Sequence, residues 1–92
     1  MRKTHKNQYA IITYIKMSLG ENMYKRLKDL REDRDLNQQV LADLLHVSQT
    51  TYSRYENGTL DIPSISLIKL ANFYETSIDY LVGLTDDKHP YR

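Results

Sequence analysis

Cysteine is absent from the 92-residue chain, so neither a disulfide framework nor a thiolate metal site can be built. That composition suits a reducing cytoplasm. Histidine is sparse, and His5, His46 and His89 are too scattered to form a local ligand pair; no metal site is expected. Only Gly20, Gly58 and Gly83 occur, which excludes a glycine-rich phosphate cradle. No apolar run approaches the roughly 18 residues of a membrane-spanning helix. Arg2, Lys3 and Lys6 precede an apolar stretch, Tyr9–Ile15, as in a secretory leader. Thr13 and Lys16 interrupt that pattern and no small-residue cleavage site follows, so a leader is set aside. Carboxylates are plentiful but form no convergent pair, and the hydroxyls have no neighbouring base. Neither catalysis nor a cofactor is expected. The length allows one small domain.

Acidic residues are missing from positions 1–20, which carry Arg2, Lys3, Lys6 and Lys16. The rest of the chain has nine Lys and Arg against twelve Asp and Glu, a net charge of −3. Such a body is unusual for a nucleic-acid binder, because phosphate neutralisation ordinarily supplies much of the affinity.

Against these absences stands one dense stretch, LNQQVLADLLHVSQTTYSRYENG, from Leu36 to Gly58. It reads as two short helices around a tight turn. Asn37 caps the first, about Gln38–Leu45, because its side chain can accept from an orphan backbone N–H. Leu41 and Leu45 fall on one face, and Ala42 permits close helix approach. His46 sits where a left-handed backbone is needed, which histidine tolerates better than most residues. Val47 plugs the turn, and Ser48 caps a second helix, about Gln49–Asn57.

Only Tyr52 and Tyr55 of the second helix can face inward; they are core anchors whose hydroxyls need water or a partner. Gln49, Thr50, Thr51, Ser53 and Arg54 face out. Thr and Ser are mediocre helix formers, so stability does not explain them. As donors and acceptors they suit base edges in a major groove; as bare composition they also suit a solvated face.

The stretch resembles the helix-turn-helix of the Cro/repressor-type (Xre) family of bacterial and phage regulators. Leu36-Asn37-Gln38, Leu41-Ala42, Val47-Ser48-Gln49 and Tyr55-Glu56-Asn57-Gly58 all stand at family spacing. So do the helix from Leu67 to Ala71 and the close Ile78-Asp79-Tyr80-Leu81-Val82-Gly83-Leu84. The likeness runs from Met23 to about Leu84 and implies an all-α, five-helix, lambda-repressor-like DNA-binding domain. It implies that Gln49–Asn57 is the recognition helix, with Gln49, Thr50, Arg54 and, more weakly, Ser53 reading bases, a phosphate being the alternative contact for Arg54. Gln38 would meet a phosphate at a helix start and brace Gln49. Ser48 and Thr51 would lie at the groove wall, and Asn57 would meet the phosphates of the other strand. By the same resemblance Arg31 pairs with Glu56; two independent surface charges are the plainer alternative. Family members often carry Lys or Arg just after Asn-Gly, but this chain has none between Gly58 and Ile68.

Residues 1–21 form an N-terminal arm, 22–84 the helical domain and 85–92 a polar C-terminal tail. In the arm, Tyr9, Ile11, Thr13, Ile15 and Met17 alternate as a strand would, whereas Ile11, Ile15 and Leu19 suit a helix; an unstructured leader is the third reading. A strand needs a partner, most simply its copy in a second subunit. Asn22 caps a first helix, about Met23–Arg34, with Met23, Leu27 and Leu30 inward and Lys25, Arg26, Lys28, Asp29, Glu32 and Asp33 facing water. Asp35 ends it in a glycine-like position. Asp61 caps a fourth helix, about Ile62–Tyr74, with Pro63 in its first turn. Ile62, Leu67, Leu70, Ala71 and Tyr74 line its core side. Ser77 caps a fifth helix that Gly83 ends.

The expectation is a sequence-specific DNA-binding transcriptional regulator of prophage or mobile-element repressor type, a cytoplasmic homodimer on a two-fold operator of double-stranded DNA. The alternative is a protein-interaction module or antitoxin of the same fold, whose main partner is a protein.

Overall fold

The computed structural model describes residues 24–90. The arm, the Asn22 cap and the Met23 position lie outside the described residues. Within them the chain forms five helices: α1 Lys25–Asp33, α2 Gln38–Leu45, α3 Gln49–Glu56, α4 Ser64–Phe73 and α5 Ile78–Leu81. The expected all-α architecture is the one observed. Leu27, Leu41, Tyr52, Leu70 and Leu81 are fully enclosed, one from each helix, so a single core ties all five together. α2 and α3 pack most extensively, α1 touches α3 and α5, and α4 touches α2 and α5.

Three caps are as the sequence indicates. Asn37 accepts from the Val40 N–H, Ser48 from Thr51 and Ser77 from Tyr80. Asp61 does not cap α4. Pro63 stands at the N-cap itself, extended at φ −59° and ψ 150°, and its carbonyl accepts from the Ser66 and Leu67 N–H groups. A residue before proline is driven away from helical backbone, so Ile62 could not have opened the helix. Ile62 is nevertheless buried, with Leu70, Ala71 and Tyr74.

All five helices end alike. A left-handed residue follows each: Asp35 (φ 55°), His46 (φ 56°), Gly58 (φ 80°), Glu75 (φ 55°) and Gly83 (φ 84°). In each case the next N–H reaches five residues back, as from Leu36 to Arg31 O and from Thr76 to Ala71 O. This double reversal satisfies the orphan carbonyls at a helix end. Three of the five positions carry a side chain where left-handed backbone costs about 1–2 kcal/mol, partly offset by the unfolded-state entropy that glycine would add. Glu75→Gly and Asp35→Gly should therefore each raise stability by about 0.5–1 kcal/mol in urea melts. Gly83→Ala should lower it, although a Cβ there would meet nothing within 4 Å. A loss at that open site would be backbone strain alone.

One further expectation needs correction. Arg26 does not simply face water. Its guanidinium lies 4.1 Å from the Tyr80 ring centroid and donates to Tyr80 O at 2.9 Å, to Thr85 O and to Asp86. The segment after Leu84 is tied back by those bonds and by the Thr76 hydroxyl donating to Lys88 O. Long polar side chains reach such carbonyls unannounced, because no periodicity marks them.

Candidate nucleic-acid interface

The turn between α2 and α3 is fixed by His46 and Val47, whose N–H groups bond Asp43 O and Ala42 O. Ser48 and Thr51 close on one another: the Thr51 N–H donates to Ser48 Oγ, which donates in turn to Thr51 Oγ1 at 3.0 Å. Behind this turn Tyr52 and Tyr55 are buried, their rings edge to face at 6.4 Å. With that face fixed inward, Gln49, Thr50 and Arg54 are exposed, and Thr51 and Ser53 are half-buried beside them.

Beneath the exposed face runs a chain of polar contacts. Arg31 Nε donates to Glu56 Oε2 at 2.7 Å and its Nη2 to Oε1 at 3.1 Å, while Nη1 bonds Leu36 O at 2.9 Å. The Glu56 side chain is 4% exposed and that of Arg31 12%, so these are not independent surface charges. Burial alone would push the Glu56 carboxyl up. The Arg31 hydrogen bond, with Tyr52 and Gln38, outweighs it and holds the carboxyl below the usual range. The same hydrogen bond raises Arg31 against its own desolvation.

Gln38 extends the chain outward. Its Nε2 donates to Glu56 Oε1 at 3.2 Å, and its Oε1 accepts from Gln49 Nε2 at 2.7 Å. An ionised carboxylate only accepts, so it dictates which end of the Gln38 amide faces it. Gln38 must then offer oxygen to Gln49, which leaves Gln49 one N–H and its carbonyl oxygen. That donor–acceptor pair is what adenine presents a match for in the major groove.

Asn57 is oriented as well. Its Oδ1 accepts from Thr59 N–H at 3.0 Å and Thr59 Oγ1 at 2.7 Å, leaving the Nδ2 donors outward. The Tyr52 and Tyr74 hydroxyls are both enclosed in the core behind this site. Burial, then the Glu56 charge, raises both phenols; that of Tyr74 reaches about 12. Tyr52 is thus close enough to Glu56 for each to weigh on the other's proton.

Sequence reasoning missed Lys28. It lines a cleft of about 410 Å³ with Arg31, Gln38, Ser53, Glu56 and Asn57. The signal was available, since Lys28 stands one helical turn before Arg31 and shares its face. Among the described residues no helix is long and apolar enough to cross a membrane, and no three metal-ligating side chains gather.

A helix-turn-helix family model matches residues 27–81. The chain is 39% identical over 67 residues to ImmR, an HTH-type transcriptional regulator of Bacillus subtilis (strain 168), covering 73% of this chain and 50% of that protein. It is 42% identical over 58 residues to RstR, the cryptic phage CTXphi transcriptional repressor of Vibrio cholerae, covering 63% and 52%. A third relative, the uncharacterized HTH-type transcriptional regulator YobD of Bacillus subtilis (strain 168), is 36% identical over 66 residues, covering 72% and 59%. The chain thus spans about half the length of these curated relatives. No solved structure matches it.

Proposed function

Since the chain belongs to the Cro/repressor-type (Xre) helix-turn-helix family of transcriptional regulators, we propose that it binds double-stranded DNA in sequence-specific fashion and represses transcription, as a prophage or mobile-element regulator in the cytoplasm. The observation that carries this reading is the outer face of α3. Gln49 is aligned by a chain of contacts that starts at a buried ion pair, and Thr50 and Arg54 stand exposed beside it. Gln49 would read adenine, Thr50 would press its methyl or hydroxyl on a neighbouring base, and Arg54 would reach guanine. Ser53 lies at the edge of this array. Gln38 at the start of α2, Ser48, Thr51 and Asn57 would meet phosphates and hold register.

One such motif covers only a few base pairs. A homodimer on two half-sites about 34 Å apart supplies the missing specificity. The test is selection of bound sequences from a random DNA pool. The expected result is one enriched sequence with two-fold symmetry and half-sites at that spacing.

The net charge of −3 over residues 21–92 favours a second reading, the same fold bound to a protein, as in an antitoxin. Failure to enrich any sequence would overturn the first reading and leave the second.

A further inference from the structure

Two of the cations among the described residues are occupied by aromatic rings. Arg26 stacks on Tyr80, and Arg34 lies over Phe73 and Tyr74 at 5.6 and 5.2 Å while donating to Phe73 O. Arg31 is committed to Glu56. The positive charge such a body can offer DNA is therefore scarcer than its composition suggests. Lys28 is different: it is exposed, has no acidic partner among the described residues and stands at the cleft between α1 and α3.

We propose that this cleft is a phosphate-binding site that clamps one phosphodiester of a DNA strand, with Lys28 as its cation and Ser53 and Asn57 as neutral donors. The inference rests on the DNA-binding reading and adds to it a contact that supplies charge from α1. Four observations converge. The cleft is lined by groups that can donate: the Lys28 ammonium, the Ser53 hydroxyl, the Asn57 amide and the second N–H of Gln38 Nε2. Asn57 has its oxygen turned to Thr59, so its N–H groups are the part left to give. The Ser53 hydroxyl makes no hydrogen bond among the described residues and is half-buried in the cleft wall. Glu56, the one acid in the lining, is held by two guanidinium bonds and by Gln38, so the Arg31–Glu56 pair adds no net charge. Lys28 leaves the cleft at +1.

Ser53 thereby changes role. A side chain shared with this cleft is turned toward the strand backbone, and its hydroxyl belongs with the contacts that position rather than those that specify. The cleft also compensates for the missing cation after Gly58. Charge delivered from α1 can neutralise the phosphate that a Lys or Arg in the loop would otherwise approach.

The test is titration of the full chain with its selected operator and with random-sequence duplex at several salt concentrations. Each phosphate neutralised contributes about 0.9 to the slope of log affinity against log salt. Lys28→Gln should make the slope shallower by about that amount on both duplexes. Over a fourfold rise in salt the unaltered chain should lose roughly 3.5-fold more affinity than the variant. Lys25→Gln removes the same charge from the same helix outside the cleft and should leave the slope unchanged. Ser53→Ala should weaken operator and random duplex by the same factor. Equal effects of the two lysine changes, or an unchanged slope for Lys28→Gln, would overturn the cleft. A Ser53→Ala loss confined to the operator would return that residue to the bases and overturn its part in the clamp. An unaltered chain that binds neither duplex overturns the DNA reading itself, an outcome distinct from the others.

Discussion

Arg31→Ala is expected to cost about 3–5 kcal/mol of folding free energy at neutral pH, the range for leaving a buried charge without its partner. The change strands a carboxylate whose side chain is 4% exposed. Gln38 remains as a donor, but one neutral amide cannot replace two guanidinium bonds. A domain of this size has only about 5–15 kcal/mol to lose. Glu56→Ala should cost less, because the guanidinium it strands is nearer the surface and keeps its bond to Leu36 O. The double variant should be less damaged than the sum of the two singles. Urea melts of the three variants decide the matter. A loss of a few tenths for Arg31→Ala would make the pair ornamental.

The acid limb of the same measurement identifies the group responsible. In the unaltered protein the Glu56 carboxyl titrates below its unfolded value of about 4.3, so its contribution is present above that pH and is lost as pH falls through the folded value. Without Arg31, burial is the largest remaining influence and drives the folded value above the unfolded one. Stability of the variant then falls as pH rises through that raised value. The gap between the two proteins should therefore narrow as pH falls, first through the variant's raised value and then below about 4.3, where the unaltered protein loses its own contribution. A gap independent of pH would place the damage in packing rather than in the stranded charge.

Much of the fold could be read from the chain because local signals and core periodicity agree. Asn37, Ser48 and Ser77 cap as their positions indicate, and Leu41, Leu45, Leu70 and Leu81 are buried as their spacing requires. Asp35 and His46 take the left-handed backbone that their place after a helix demands, but nothing about Glu75 announces the same role. The start of α4 escaped because two valid rules competed: proline is favoured in a first turn, yet it also bars the residue before it from the helix. Arg26, Arg34 and Lys28 escaped for a different reason. The rings under Arg26 and Arg34 and the cleft wall facing Lys28 lie far along the chain, at Tyr80, Phe73 and Ser53, and no local pattern gives the placement of α1 against α3, α4 and α5. The outward array of α3 was visible in its composition. Of its wiring, the resemblance implied the Arg31–Glu56 pair and the brace of Gln38 on Gln49, but not the Gln38 bond to Glu56 that joins them, because that depends on amide orientation.

That wiring sets the largest effect expected on binding. Gln49→Ala should weaken the selected operator by about 1–3 kcal/mol, the worth of one bidentate base contact, while barely changing affinity for random DNA. Arg54→Ala should lose a similar amount, at a different base pair. Gln38→Ala is the informative partner. As a phosphate contact it should weaken all sequences alike, but as the acceptor for Gln49 Nε2 it should also cost discrimination at the adenine. With Gln38 removed, the Gln49 amide is free to turn over and offer its oxygen where a donor is needed. In the Gln49→Ala background only the uniform loss should remain. The two residues should therefore couple by about 0.5–3 kcal/mol on the operator and not at all on random duplex. The cycle is measured as affinities of the four proteins for both DNAs. Additive losses on the operator would mean that the bond between the two glutamines opens before DNA is read, and that the ion pair beneath them supports the fold without aiming the reading side chain.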